Sequence, residues 1–565
     1  MTCSPQTASR GPIALAALLL LMALMPVAAH GQAELLPIDH PATRALIRFY
    51  EFGAIPDFPR EHLPISRGQA LRFLDEARRN AALPDDLREQ AQYYAVELGP
   101  DVGLMPMTVL IPTTDASHWI VDDPMANIPF AIAEHRDTAL GLHVVFEPLL
   151  DGDLRVDPAT GDAALIAQGG AQLRGTILDH VGFSARITNG SVAGDSTIAA
   201  RDPRIGRNGA FGITAFGRDL SFGDGHLRAD FEHVAVEIGH EAVQLGGGDR
   251  ESLLLGSLLP SHYDYLRFNA HVGRFTFSHI HAMLLGEATG AASGPSGEIP
   301  AKYVATHLLS VGPFAGMRLS IGESVVYHGR ALELGYLNPF VFLKTQEQYL
   351  RDRDNANLYL ALSVAPLKSL FLEGEAMIDD LRFSLIGDGY WGNKGAYRAT
   401  ARVTAFPLSM IDLGFSYTWL DPYVFTHFNR LNNYTHDGTL LVAAGLQPNS
   451  YLMEGKLALT PLPNLSIRAS IGIGKHGANI FGGDSLGNDT LLFNAGGDVR
   501  QTRRAGIDAE TVHFLDGDIE QLLQFRFEAE YEPLRNIYLR LNALRYKVDE
   551  TTDTQVWLGL RIGAR

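Results

Sequence analysis

From Asn357 to Asp379 the chain reads NLYLALSVAPLKSLFLEGEAMID, and apolar positions alternate with polar ones in two runs. In the first, Leu358, Leu360, Leu362 and Val364 share a face opposite Tyr359, Ala361 and Ser363. In the second, Leu370, Leu372, Gly374, Ala376 and Ile378 alternate with Glu373, Glu375 and Asp379. A period of two belongs to a strand with one apolar and one polar face, and Ala365-Pro366-Leu367-Lys368 between the runs reads as a hairpin turn. The unit recurs. Phe406-Pro407-Leu408 precedes Ile411, Leu413, Phe415, Tyr417 and Trp419; Pro461-Leu462-Pro463-Asn464 precedes Leu465, Ile467, Ala469, Ile471 and Ile473; Glu532-Pro533-Leu534-Arg535 precedes Ile537, Leu539, Leu541 and Ala543. The positions between them carry Arg468, Glu528, Glu530 and Arg540, which a dry core would not accept at successive inward sites. The faces are therefore expected reversed, apolar toward lipid and polar toward a wet lumen, as in a transmembrane β-barrel.

Counting by parity places 18 antiparallel strands from near 138–147, 165–175, 178–188, 211–220 and 228–240 through to 555–563. Short turns, one of them at 221–227, alternate with longer loops, of which 326–356, 420–450 and 475–520 are the longest and 548–554 is the one short exception. That asymmetry assigns the short turns to the periplasm and the long loops to the cell exterior.

The start of the chain follows other rules. Arg10, the apolar run Ile13 to Met25 and the small residues after Pro26 form a secretory leader, 1–29, with cleavage possible as late as residue 33. Helical spacing then appears in 40–100: Leu46, Phe49 and Tyr50; Ala70, Phe73, Leu74 and Ala77 behind Ser66 as N-cap; and Leu87, Ala91, Tyr94 and Leu98. This segment is expected to be a periplasmic helical bundle or plug, joined by a linker at 101–137 to a barrel at 138–565. The expected fold is thus an all-β transmembrane barrel with a small N-terminal α-helical bundle, located in a bacterial outer membrane.

Composition narrows the function. The single cysteine, Cys3, leaves with the leader, which excludes disulfide and thiol chemistry in the mature chain. A net charge of −18 argues against nucleic acid as a partner. No residue set calls for a cofactor or a metal. His279 and His281 share a strand face, but Phe275 and Phe277 lie there too, so they read as interfacial residues. The run Gly483-Asp484-Ser485-Leu486-Gly487 has the spacing of a hydrolase nucleophile elbow without the strand and helix that the elbow needs.

Two stretches, VAVEIGHEAVQLGGGDRESLLLGSLLPSHYDYLRF (Val234 to Phe268) and MRLSIGESVVYHGRALELGYLNPFVF (Met317 to Phe342), with Asp354-Asn355 and Ile378-Asp379-Asp380 after them, resemble the Wzi family of capsule-assembly outer-membrane proteins. Gln244 to Gly248 departs from that pattern in lacking a tryptophan before its glycines, and the chain ends Gly563-Ala564-Arg565 rather than in an aromatic residue. The resemblance implies an 18-stranded barrel, plugged by periplasmic helices and its own outer loops, that acts as a surface lectin and not as an enzyme. Its partners would be a surface polysaccharide, outer-membrane lipid and the barrel-insertion machinery, with the chain monomeric.

The residues allow a carbohydrate site at the outer rim. Tyr327 and Tyr336 could offer stacking faces, Arg330 a charge for an acidic sugar, and Glu333 and Asn338 hydrogen-bonding groups, with Asp379 and Asp380 close by. The alternative for the same residues is that they only fold the loop. A diffusion porin for small solutes is the competing function and an outer-membrane lipase a more remote one. Either way, the protein should enter outer-membrane fractions and migrate differently in detergent gels before and after boiling; identical migration would reject the barrel.

Overall fold

The computed structural model describes residues 32–99, 108–109, 133–137, 139–202, 205, 211–214, 217–231, 233–248, 251–256, 262–286, 300–436, 438–442, 446–483 and 489–563. The leader, most of the expected linker and Ser485 lie outside the described residues. Eighteen antiparallel strands close into one barrel: β1 Leu142–Val156, β2 Ala163–Ile177, β3 Val181–Gly194, β4 Gly217–Phe231, β5 Val234–Glu241, β6 Tyr263–Val272, β7 Phe275–Leu285, β8 Ala301–Phe314, β9 Met317–His328, β10 Asn355–Leu367, β11 Leu370–Asp380, β12 Lys394–Val403, β13 Ile411–Leu420, β14 Ser450–Leu462, β15 Leu465–Ala478, β16 Asp518–Leu534, β17 Ile537–Val548 and β18 Thr551–Ile562. β18 pairs back onto β1 from Val556 opposite Val156 to Ile562 opposite Leu150, so the ladder has no open edge for lipid to meet. No described helix is long and apolar enough to cross a membrane; the strands do so.

The reversed faces are observed. Leu358, Leu360, Leu362, Leu413, Phe415, Ile471, Ile473, Leu539 and Leu541 are exposed on the outside, whereas Glu373, Glu375, Asp379 and Arg398 are buried inside. The prolines sit one step away from where a simple turn would put them. In three hairpins the ladder slips between Val364 and Leu367, Leu459 and Leu462, and Tyr531 and Leu534, with Pro366, Pro461 and Pro533 inside the bulge. A bulge needs no ladder donor from that residue, which is what proline lacks. Pro313 does the same between Val311 and Phe314. The turn proper follows, at Ser369 and Asn536 with φ of 69° and 60°.

Three boundaries differ from the sequence reading. Residues 221–227, expected as a turn, run through the middle of β4, and the chain reverses after Phe231 instead. Ser221-Phe-Gly-Asp-Gly225 looks like a turn, but its glycine serves close approach: a Cβ on Gly225 would lie 2.7 Å from the Ser184 carbonyl of β3. The first strand continues to Val156 because Asp151 and Asp153, read as loop, point into the lumen toward Arg540 at 2.6 and 3.0 Å. The loop after it is consequently short. Residues 133–137 are strand too, paired with Leu142 to Phe146 of β1 below the point where β18 ends.

Inside the short-turn mouth stand α1 Pro41–Phe52, α2 Arg67–Arg79 and α3 Asp85–Leu98. α2 begins in a capping box between Ser66 and Gln69, and α1 ends at Gly53 with φ 85°. Leu46, Phe49, Ile55, Phe58, Leu74, Leu87, Ala91 and Leu98 form their common core, which Phe371 of β11 joins from the wall. The outer surface of this bundle is charged and reads the lumen wall residue by residue. Arg44 meets Glu530 at 2.7 Å, Arg48 meets Asp412 at 2.8 Å, Glu51 meets Arg402 at 2.6 Å and Glu61 meets Arg318 at 2.9 Å. His62 bridges the hydroxyls of Ser278 and Ser310, each at 2.8 Å. Burial works to raise the Glu34 carboxyl, but Arg174, Arg67 and the Thr176 hydroxyl outweigh it and hold its pKa below the usual value.

The other end fills from outside. The segment after β5 turns down into the lumen, burying Val243, Leu245 and Leu253 to Leu255. There Gln244 and Leu245 pair with Leu63 and His62 of the N-terminal segment. Val424, Phe425, Tyr434 and Leu440 to Val442, from the connection after β13, pack on the same cluster.

Arg60, wholly buried, is the joint of this assembly: its guanidinium pairs with Glu373 and lies 4.9 Å from the Phe371 ring. Arg60→Ala should lower stability by about 3–5 kcal/mol, because it strands a buried carboxylate. The measurement is the temperature at which the folded band is lost in detergent gels; an unchanged temperature would place the stabilisation elsewhere.

Candidate functional site

The connection between β9 and β10, 329–354, carries most of the residues expected to bind sugar, and it is tightly folded on itself. Arg330 donates to both carboxylate oxygens of Asp354, at 3.0 and 2.5 Å, and its Cζ lies 4.5 Å from the Tyr327 ring centroid. Tyr336 donates to the same Asp354 at 2.8 Å. The Tyr327 hydroxyl accepts from the Glu333 backbone N–H at 3.1 Å and meets His281 Nε2 at 2.8 Å. Both tyrosines are fully buried. The expectation that Tyr327 and Tyr336 present faces to a polymer is therefore corrected: their rings, 5.2 Å apart, are spent on each other. Glu333 keeps a 3.6 Å contact with Arg330, and Asn338 accepts from Phe340 N–H at 3.1 Å, so these two shape the loop as well.

The aspartate pair divides its work. Asp379 is buried, accepts from the Phe425 N–H at 2.7 Å and pairs with Lys394 at 3.0 Å, which ties the connection after β13 into the lumen. Asp380 shares Lys394 at 3.0 Å but stays exposed.

Beside Asp380 the structure assembles an aromatic patch that the sequence reading did not single out. The connection after β11 pairs with a later one through Trp391 N–H to Glu510 O at 3.1 Å and Val512 N–H to Gly389 O at 2.8 Å. This sets half-exposed Tyr390 and Trp391 side by side, ring centroids 5.9 Å apart. Arg382 lies 5.2 Å from the Tyr390 ring and Arg503 lies 4.9 Å from that of Trp391. Flat rings flanked by guanidinium groups and by exposed Asp380 and Asp388 suit the CH face and hydroxyls of a sugar. The available signal was the scarcity of tryptophan, four in the chain, with one of them in an outer loop.

Two further groupings bear on chemistry. Asp224, His240 and His262 bring donor atoms within 4.8 Å of one another, the spacing of a metal site. Their hydrogen bonds are already made, His262 to Asp224 at 2.6 Å and His240 to Asp264 at 2.9 Å. A cavity of about 300 Å³ lies between the helices and the wall of β13 to β16, lined by both signs of charge, among them Arg44, Glu251, Lys456, Arg468, Arg526 and Glu528.

The sequence matches no protein-family model and no curated protein. Among solved structures the chain is similar in fold to Wzi of Escherichia coli, described as an outer-membrane protein involved in group 1 capsule assembly and a carbohydrate-binding β-barrel. The TM-score is 0.55 at 10% identity, over 94% of this chain and 99% of that one. It also aligns with Pseudomonas aeruginosa OprD (TM-score 0.43, 12% identity, 74% and 95% covered) and OpdL (0.42, 12%, 74% and 98%). The closed barrel is that of a bacterial outer-membrane protein.

Asp354 holds the 329–354 loop through two charge-assisted partners, each such bond worth about 1.5–3 kcal/mol. Asp354→Ala should open it and expose the backbone beside Arg351 and Arg353. Trypsin should then cut the folded barrel there about tenfold faster or more, as expected when the open population sets the rate; unchanged digestion would show the loop held by other contacts.

Proposed function

We propose that this chain is a closed outer-membrane barrel that binds a surface polysaccharide on its outer loops and catalyses no reaction. The observation that carries this reading is the filled lumen: a helical bundle occupies one mouth, inward-folded loops the other, and the two meet at the Leu63–Gln244 pairing. A barrel so closed has its recognition surface at its rim. The contact surface is Arg382, Tyr390, Trp391 and Arg503 with Asp380, rather than the buried Tyr327 and Tyr336. The similarity in fold to Wzi supports the same direction, as does the resemblance of the two stretches around Val234 to Phe268 and Met317 to Phe342. The polymer's anchoring to the cell surface would be the physiological task, with outer-membrane lipid and the insertion machinery as the barrel's other partners.

A porin is the second reading, favoured by the charged cavity along β13 to β16, which leaves part of the lumen wet. The two part cleanly in one experiment. Trp391→Ala should weaken binding of polymer purified from the host's surface about tenfold, the ratio that corresponds to ~1.4 kcal/mol, while the intact barrel stays non-conducting in planar bilayers. Stable open channels together with unaltered polymer binding would overturn the proposal in favour of the porin.

A further inference from the structure

The outward-facing side of β7, β8 and β9 departs from the apolar run that faces outward along strands such as β10, β13 and β15. Leu358, Leu360, Leu413, Phe415, Ile471 and Ile473 are exposed there, whereas here the outward positions include His279, His281, Tyr303, His307, Glu323 and Tyr327, all of them buried or half-buried. Their orientation follows from their neighbours: Thr306 and Ser324 point into the lumen, where Ser324 meets Tyr434 at 2.9 Å. His307 and Glu323 therefore face the membrane side, hydrogen-bonded to each other at 3.0 Å. Met283 and Leu285 lie nearer the outer rim on the same face of β7 and are exposed, as are Leu309 and Ile321 on the side of the short turns. The polar stripe thus lies within the apolar belt.

It is not bare. The 329–354 loop, with its short helices α4 Leu334–Leu337 and α5 Leu343–Tyr349, folds outward from the rim and down over this stripe. Glu323 accepts from the Leu343 and Lys344 N–H groups at 2.7 and 3.1 Å, capping α5 from the barrel wall. Tyr336 and Leu343 pack against Ala305, Val325, Tyr327 and Ala356, all on the outer face. Phe340 lies 6.2 Å from Phe268 of β6, further round the same wall.

The loop carries a set of exposed large apolar side chains, while its exposed charges, Arg351 to Arg353, gather at its end next to β10. Leu334 is 78% exposed, Phe340 85%, Phe342 57% and Tyr349 79%. Such a patch in water would be an interaction site in search of a partner; at this place on a spanning wall the neighbour is lipid. We propose that the 329–354 loop is a membrane-embedded latch, which seats Phe340, Phe342 and Tyr349 among the acyl chains of the outer leaflet while it shields the polar stripe beneath. The inference rests on the barrel's place in the outer membrane and is independent of the polysaccharide reading.

The test uses site-directed spin labels. Cys3 is the only cysteine, so in a Cys3→Ser background Phe340→Cys, Phe342→Cys and Tyr349→Cys each give a single labelling site. Leu358→Cys serves as the lipid-facing reference and Asp388→Cys as the aqueous one. The barrel is reconstituted in phosphatidylcholine vesicles, and collisions of each label with oxygen, which concentrates in lipid, are compared with collisions with a water-soluble nickel chelate. The latch requires an oxygen-to-nickel ratio several-fold above that at Asp388→Cys, and nearer to Leu358→Cys, at two or more of the three positions. Ratios that group with Asp388→Cys at two or more would place the loop in water and overturn the proposal. All three side chains are exposed and none belongs to the cluster of Tyr327, Tyr336 and Leu343 under the loop, so their replacement leaves that cluster intact; Phe340→Cys gives up only the edge contact with Phe268.

Discussion

One carboxylate, that of Glu373, is where the three layers of the lumen meet. From the wall of β11 it pairs with Arg60 of the N-terminal segment and accepts from the backbone N–H of Gly248 at 2.8 Å, at the tip of the loop that descends after β5. Its neighbour Glu375 takes the hydroxyl of Tyr359 at 2.6 Å, and Tyr359 in turn accepts from Gly247 N–H at 3.0 Å. The glycine run is a steric condition of this joint. A Cβ on Gly247 would lie 2.6 Å from the Glu373 carboxylate, and Gly248 has φ 74°. A buried ion pair contributes little net stability over an apolar replacement, yet removing one partner is costly. Its value here is positional: neither the bundle nor the loop can shift without leaving a charge unpaired in a dry place.

That constraint explains why the barrel is closed by two cores instead of one. Around the helices the wall is lined mainly with Arg, Glu and Asp and offers little apolar surface beyond Phe371, so the bundle brings its own core, whereas toward the outer end Ile280, Leu308, Val326 and Met377 of the wall pack with the inward loops. The helices contribute Phe49, Phe58 and Leu74, and the loops Leu254, Phe425 and Leu441. Charges fill the shell between bundle and wall. Where that shell is loosest, along β15 and β16, Arg468 and Glu528 keep partial exposure and the lumen holds its cavity. Closure is thus an electrostatic fit around two hydrophobic cores, and recognition is left to the rim.

Much of this was legible in the sequence, and the reasons are specific. Alternation from Leu358 to Ile378 gave strands and, through Glu373 and Glu375, the reversed faces, because a period of two is a local property. Ser66 announced α2 because a capping box is local too. What failed was whatever depended on a distant neighbour. Gly223 and Gly225 mimic a turn unless the backbone of β3 is known to pass close to them. Asp151 and Asp153 mimic a loop unless Arg540 is known to face them. Tyr327 and Tyr336 looked like ligand platforms because loop tyrosines often are, and only their distant partners, Asp354 for Tyr336 and His281 of β7 for Tyr327, show that they are internal. Trp391 was visible as a residue, but its pairing with Arg503 joins two loops separated in the chain by β12 to β15.

The outward stripe on β7 to β9 carries the same lesson in the opposite direction. His279 and His281 were read as interfacial because Phe275 and Phe277 share their face. The structure keeps them on that face and covers them with polypeptide. A strand that crosses lipid cannot leave imidazole and carboxylate groups against acyl chains without a large desolvation cost. The imidazole and carboxylate groups of this stripe, set on the same face as exposed Phe275, Met283 and Ile321, therefore imply a cover, supplied by another chain or by a loop long enough to reach. Here the loop that begins directly after β9 is long enough, and its Leu334-Gly-Tyr-Leu-Asn-Pro-Phe-Val-Phe342 run supplies apolar side chains for both of its sides. Lapses in the alternation of β7 to β9 and an apolar outer loop next to them are two halves of one requirement, that every surface the membrane touches be apolar.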